Sequence, residues 1–318
     1  YVVPGLAISG GIAIILNHVN RLQARGYEVM LVSLNKFVPI TWFHNSAPVV
    51  SVHELSMEHL AGVDLVVATH WSTAFFVDLL PVKRKAYFVQ SDERRFNPDR
   101  PEEQATIEAT YRLPFEYVTE ARWIQRWLKS EFGHRVAYVP NGLNESFFAA
   151  CNPVSPRVSK KMRVLLEGPL DCWFKGMREA YEAVQGLDVE LWIVSSSGKP
   201  PTDWKYDRFF ANVPIDEMCD IYASCDIFVK LSQIEGFFGP PLEAMACGCA
   251  VVVGKVTGHD EYIVDGENAL VVEPGDVAAA RAAVVRLMDD TVLRERLIMS
   301  GHKTAETWRW EQSIDRLE

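Results

Sequence analysis

The sequence lacks any apolar run approaching 18 residues and shows no charged, apolar, small-residue leader, so it predicts neither a membrane-spanning helix nor secretion. Paired Cys-x-x-Cys spacing is also missing. The six cysteines (151, 172, 219, 225, 247 and 249) mostly stand in apolar runs and read as reduced core residues of a cytoplasmic protein. Cys247 and Cys249 are too close together for a two-ligand knuckle, so no metal site is expected. Positive charge is scarce: 32 basic against 42 acidic residues leave a net charge of −10, which argues against nucleic acid as a general partner. No full Gly-x-Gly-x-x-Gly and no short-period repeat occur, which removes a dinucleotide site and a solenoid from consideration.

What is present reads as two domains in series. A chain of 318 residues, 48% hydrophobic and 23% charged, suffices for two separate cores. Predicted strands at 1–3, 28–34, 64–69, 86–90 and 136–140 alternate with helices at 12–26 and 119–132. Segment 149–161, rich in proline, serine and charge, is the best linker candidate. The pattern then restarts, with strands at 163–167, 190–195, 226–231, 250–253 and 269–272. Helices are expected at 175–185, 216–223, 240–247, 276–289 and 291–302. Such alternation implies an α/β fold of two doubly wound, Rossmann-like domains, 1–150 and 151–303, facing across a cleft that is the default binding site. Net charge is −1 in residues 1–150 and −9 beyond them, so the first half is the better candidate to meet an anionic surface.

The richest stretch is Glu235-Gly-Phe-Phe-Gly-Pro-Pro-Leu-Glu243, a glycine-bracketed loop running into a helix whose first turn accepts Pro240 and Pro241. Amides at such a helix start, with a carboxylate on either side, suit a ligand carrying phosphate and hydroxyls. Gly168-Pro-Leu-Asp-Cys-Trp-Phe-Lys175-Gly176 follows a strand, and Lys175 is expected to open a helix. The helix dipole opposes a cation there, which a bound diphosphate would justify; the alternative is a solvated lysine. Ser9-Gly10-Gly11 makes a tight turn or lets the backbone approach a phosphate. His70 ends a predicted strand at the rim of the first domain. Gln90, Asp92 and Glu93 end another and offer hydrogen-bonding groups to a hydroxylated ligand, unless they form only a charged, solvated loop. Residues 120–132 carry an apolar stripe (Trp123, Ile124, Trp127, Leu128) opposite Arg122, Arg126 and Lys129. This pattern fits a core-packing helix or an interfacial membrane contact.

The Glu235…Glu243 segment, continued by Leu242-Glu-Ala-Met-Ala-Cys-Gly248, resembles the signature of retaining glycosyltransferases of family four, which have the GT-B fold. Gly10-Gly11, Val139-Pro-Asn-Gly-Leu-Asn144, Lys175-Gly176, the run from Ile221 to Val229 and the run from Asp265 to Asp276 agree in order and spacing. The segment from Trp308 resembles the family's closing helix, so 304–318 is expected to return to the first domain. The resemblance implies a metal-independent enzyme of polysaccharide biosynthesis with no cofactor, and the absence of any Asp-x-Asp agrees with this. It would take a nucleotide-sugar donor and a glycan, lipid-linked or small-molecule acceptor. Glu235, Lys175 and His70 would be catalytic. Gly10, Gly11, Lys175, Gly236, Phe237, Phe238, Gly239 and Glu243 would bind the donor, with Glu243 on the ribose and Lys175 on the diphosphate. Gln90, Asp92 and Glu93 would face the acceptor. The stretch Tyr87 to Gln90 resembles rhamnosyl-type members. The implied location is cytoplasmic, with weak peripheral contact at the inner face of the membrane through the N-terminal domain. Pro169 departs from the family pattern, which has arginine there to complete the phosphate clamp; Arg178, Lys199 and Arg94 are candidate substitutes. A non-catalytic nucleotide- or sugar-binding protein and a nucleotide-sugar epimerase of the same architecture remain the rival readings.

Overall fold

The structure, a computed structural model, describes residues 1–36, 39–149, 151–154 and 159–318. It divides into two compact units, Tyr1–Asn141 with Glu311–Glu318, and Gly142–Trp310. The division falls nine residues before the position the linker composition suggests, and the returning segment is shorter than 304–318. The cause is local packing inside the second unit. Leu143 N–H donates to Trp308 O at 3.0 Å, and Trp310 Nε1 donates to Asn144 Oδ1 at 3.0 Å. Phe147 is buried against Tyr222, so 142–149 already belong to the second core. Within the expected linker, residues 150 and 155–158 lie outside the described residues.

The first unit holds a seven-stranded parallel sheet: β1 (Val2–Val3), β2 (Leu31–Ser33), β3 (Val49–Ser51), β4 (Leu65–Ala68), β5 (Arg84–Val89), β6 (Glu116–Thr119) and β7 (Val136–Tyr138), in the order β3-β2-β1-β4-β5-β6-β7. Its helices are α1 (Gly10–Ala24), α2 (Met57–Leu60), α3 (Trp71–Leu79), α4 (Pro101–Thr110) and α5 (Arg122–Phe132). The expected helix 119–132 starts later, because β6 occupies residues up to Thr119. In α5, Ile124 and Leu128 are fully buried, and Trp123 and Trp127 pack on the same core beneath Arg95 and Arg94. The apolar stripe is therefore spent on the core, not left open for a lipid surface.

The second unit holds β8 (Met162–Glu167), β9 (Val189–Ser195), β10 (Arg208–Ala211), β11 (Ile227–Lys230), β12 (Ala250–Gly254) and β13 (Leu270–Val272), all parallel, in the order β10-β9-β8-β11-β12-β13. Around it run α6 (Met177–Val184), α7 (Ile215–Ala223), α8 (Gly239–Ala246), α9 (Val277–Asp289) and α10 (Thr291–Glu306), and α11 (Trp310–Leu317) leads into the first unit. The strands read as near-continuous apolar runs because both faces are covered. Leu165 joins one layer of side chains, and Val164 and Leu166 the other. Truncating Leu165 to alanine is expected to cost about 2–5 kcal/mol. In both sheets the strand order reverses at one point, between β1 and β4 and between β8 and β11. Ligands of such folds bind outside the carboxyl ends of the strands at that point. Among the described residues, no helix is long and apolar enough to cross a membrane.

Candidate functional site

At the reversal in the second sheet, the loop after β8 and the loop after β11 are fastened together. Gly176 stands in the left-handed region (φ 63°), and a Cβ there would lie 1.9 Å from Leu231 O, so only glycine permits this approach. Gln233 N–H donates to Phe174 O at 2.7 Å. Lys175 Nζ then donates to Glu235 Oε2 at 2.8 Å. Burial would lower the Lys175 ammonium, but the Glu235 carboxylate overrides it and the net shift is upward. Glu235 is 7% exposed, and its other oxygen, Oε1, is buried without a hydrogen-bond partner. A buried acceptor of this kind costs about 1–3 kcal/mol, which a hydroxyl from a ligand would recover.

This geometry corrects the placement of Lys175. It closes a short 3₁₀ turn, Trp173–Lys175, and α6 begins two residues later at Met177 with Gly176 as its N-cap. Its charge is balanced by Glu235, so the helix dipole is not what demands a partner for it. The cap of α6 makes no side-chain hydrogen bond.

The start of α8 also differs from expectation. Pro240 and Pro241 bring no N–H, the Gly239 amide donates to Phe237 O at 3.0 Å, and the Leu242 amide turns to the Tyr262 hydroxyl. The helix N-terminus therefore has few amides to offer an anion. Phe238 is fully buried, and Phe237 packs on Trp308 and Tyr262 with ring centroids 5.2 and 5.8 Å away. Phe238 is therefore a core ring, whereas Phe237 stays half-buried, and the two anchor the backbone from Gly236 to Gly239.

A second charged pair lies deeper. Lys230, 3% exposed at the end of β11, donates to Glu167 O at 2.8 Å and Glu167 Oε2 at 2.7 Å. A Cβ on Gly168 would sit 3.4 Å from Lys230 Nζ, so the ammonium lies against the backbone just before Pro169. The apolar run of β11 hides this residue in the sequence, where its one polar member looks like the strand's exposed end. Glu243 takes a hydrogen bond from the Tyr222 hydroxyl at 3.1 Å. Burial, then the nearby Glu167 charge, raises its carboxyl to about 7, against the pull of Tyr222 and Lys230. Of the candidate substitutes for the missing arginine, Arg178 and Lys199 are exposed. Arg94, in the first unit, is bound to Asp92, Glu108 and Glu131.

In the first unit, Gly10 and Gly11 are the first residues of α1, whose N-cap Ser9 accepts from Ile12 N–H at 3.2 Å. A Cβ on Gly11 would meet Gln90 Oε1 at 2.9 Å, and Gln90 Nε2 donates to Thr69 O at 3.3 Å. The ends of β1, β4 and β5 are thus tied together at the reversal. His70 caps α3: its Nδ1 accepts from Ser72 N–H at 3.2 Å, so the proton is assigned to Nε2, 3.2 Å from Glu93 Oε1. With both ring nitrogens engaged, His70 holds a helix start and is not poised as a base. Burial drops it to about 4. Glu93, expected on an open loop, is buried instead. Its Oε2 accepts from Trp71 N–H at 2.8 Å and from the Tyr87 hydroxyl at 2.9 Å, and burial raises its carboxyl to about 8. Asp92 is likewise buried and turned to Arg94.

Residues 163–290 match the family described as glycosyl transferases group 1. Over these residues the chain is similar to that family. The matched segment contains Glu167, Lys175, Lys230, Glu235 and Glu243, every charged group of the second unit's candidate site. The chain is 36% identical over 124 residues to the O-antigen chain mannosyltransferase B of Escherichia coli, covering 39% of this chain and 31% of that one. It is 28% identical over 200 residues to the phosphatidyl-myo-inositol mannosyltransferase of Mycobacterium leprae, covering 58% of this chain and 53% of that one. It thus spans about half or less of the length of these curated relatives. Sucrose-phosphate synthase from Thermosynechococcus elongatus superposes with a TM-score of 0.81 at 18% identity, over 97% of this chain and 92% of that one. The Anabaena protein HepE, solved with UDP-glucose, gives 0.76 at 14% identity, over 99% and 96%. At such identities the chain shares their fold, two parallel-sheet α/β domains of GT-B type.

Proposed function

We propose that the chain is a retaining, metal-independent glycosyltransferase that holds a nucleotide-sugar on its second unit and its acceptor, a glycan, a lipid-linked sugar or a small molecule, mainly on its first. The observation that carries this reading is Glu235, with one oxygen on Lys175 and the other buried and unpartnered. A donor sugar hydroxyl satisfies Oε1, while its diphosphate takes the front of Lys175 and the uncapped start of α6. Lys230 stands beneath Gly168 as the second fixed cation, next to the position where Pro169 replaces the family's arginine. Glu243 accepts from the ribose hydroxyls. As the bond from the anomeric carbon to the phosphate oxygen breaks, the acceptor oxygen bonds to the same face of that carbon. Its proton passes to the departing diphosphate. Lys175 stabilises the charge that develops there. His70 and Glu93 hold the first unit's loops in place. The rhamnosyl-like stretch at Tyr87 leaves the sugar to be identified by experiment.

The test is transfer and donor hydrolysis by purified protein across a panel of nucleotide-sugars, beside calorimetry with the nucleoside diphosphate. Turnover that falls with Lys175→Ala and Glu235→Gln supports the enzyme. Tight nucleotide binding without turnover supports a non-catalytic binding protein, the reading that Pro169 favours.

A further inference from the structure

Away from the two charged pairs, the second unit gathers sulfur. Cys151 comes from the segment that follows Phe148, Cys219 from α7, and Cys247 from the C-cap of α8. The sulfurs of Cys151 and Cys219 and a carboxylate oxygen of Asp220 all lie within 4.8 Å of one another. Cys247 lines the same cavity as Cys151, which places a third thiol beside the group. This open cavity of about 390 Å³ is also lined by His302 and Glu306. All six cysteines are free thiols. The expectation that they are reduced core residues holds for Cys219, Cys225 and Cys249, which are buried. Cys151, Cys172 and Cys247 are only half-buried, and residues 68 and 96 positions apart in the chain meet in space.

We propose that Cys151, Cys219, Cys247 and the Asp220 carboxylate form a binding site for a soft divalent cation of the zinc class. Three sulfurs and one oxygen make a four-ligand set of the kind zinc takes tetrahedrally, with Zn–S near 2.3 Å and neighbouring sulfurs therefore about 3.8 Å apart. The ligand atoms of Cys151, Cys219 and Asp220, already within 4.8 Å of one another, need to draw in by no more than about an ångström, and Cys247 completes the set by turning its side chain towards them. Asp220 is held for this task, because Asn152 N–H donates to its Oδ1 at 2.7 Å. The cavity supplies the path of entry. A zinc-class cation is bound by thiolates, not thiols. Binding therefore releases protons as thiolates form. The cation joins the segment after Phe148 to α7 and to α8, the helix that carries Glu243.

The experiment uses the full chain, reduced, stripped by a chelator and titrated with Co²⁺. The expected result is one equivalent bound, a thiolate-to-cobalt charge-transfer band, proton release and displacement by Zn²⁺. Cys219→Ser and Cys151→Ser each abolish the band, Asp220→Asn weakens cobalt binding about tenfold or more, and Cys172→Ser leaves it intact. Cys219 is buried, so circular dichroism checks that its variant folds. Cys151 is half-buried in a loop and carries the test if that variant does not. Absence of the band, a band that survives in Cys151→Ser, or mapping of a Cys151–Cys219 disulfide in the protein as purified overturns the proposal.

Discussion

At the carboxyl end of the first sheet, half-buried His70 and buried Glu93 meet as a hydrogen-bonded pair; at the carboxyl end of the second, Lys175 and Glu235 meet as an ion pair. The two occupy comparable places beside a sheet reversal, yet their surroundings differ. Ser72, Trp71 and Tyr87 satisfy the first pair from within its own unit, and burial keeps histidine uncharged and pushes glutamate towards the neutral acid. The second pair is an ion pair in which Glu235 holds the Lys175 ammonium up, and it leaves Glu235 Oε1 without a partner. A satisfied pair is architecture, whereas a charged pair with an unmet acceptor is prepared for a ligand. Position at the strand ends alone does not separate the two.

The largest expected effect comes from Lys175→Ala, which removes the cation at the leaving group. Steady-state kinetics with the best donor of the panel should show kcat/KM falling about 10²–10³-fold. His70→Ala should act mainly on stability. An equal loss of kcat/KM in a folded His70→Ala variant would erase the contrast between the two ends.

Next is Lys230→Met. Removing one member of a buried pair strands Glu167 and should cost about 3 kcal/mol in urea unfolding. The double variant Lys230→Met, Glu167→Leu should regain much of that stability, because no unpaired charge remains. Its donor affinity should stay low, since the second cation is gone. Recovery of both would make Lys230 part of the architecture, like the first unit's pair.

Glu243→Gln should have a smaller effect, visible in pH dependence. The free carboxyl sits at about 7, and its ionised form is the better acceptor for ribose hydroxyls. Donor affinity by calorimetry should therefore drop about tenfold from about pH 8 to about pH 6, as the ionised fraction falls. Glu243→Gln should be weak at both and flat between them.

How far the sequence showed these differences depends on the physics of each residue. The α/β order, the two sheets and the segment from Glu235 to Glu243 were legible, because strand runs, helix periodicity and glycine-proline punctuation are local. β10 was not legible, nor was the start of α5, since a short strand such as Glu116–Thr119 runs straight into the helical pattern. The roles of Lys230 and Phe238 were hidden for the opposite reason: both lie in mostly apolar or loop-like runs, and only the packed sheet shows one as a buried cation and the other as a core ring. The thiols of Cys151, Cys219 and Cys247 meet through tertiary contacts that no spacing records. Lys175 was found by its motif, but its partner Glu235 lies 60 residues away. The dipole argument filled that gap with a ligand alone, whereas the lysine's partner within the protein is that carboxylate.

The smallest effect concerns the first unit alone and appears as a slope in stability, not a level. Glu93 is raised by burial from 4.5 to about 8 in the folded chain, so its contribution is fully present below about pH 4.5 and is lost as pH rises through about 8. His70 is lowered from 6.5 to about 4, so its contribution is present above about pH 6.5 and is lost as pH falls through about 4. Between those limits the two oppose each other. Above about pH 6.5 the glutamate acts alone, and stability should decline with rising pH. Urea unfolding of Glu93→Gln beside the parent should show a stability difference that changes steadily from about pH 6.5 to about pH 8, because the variant has no proton to lose. A constant difference across that range would mean that Glu93 is already ionised in the folded chain. The first unit would then hold a charged pair as the second does, and the comparison would rest on the unpartnered oxygen of Glu235 alone.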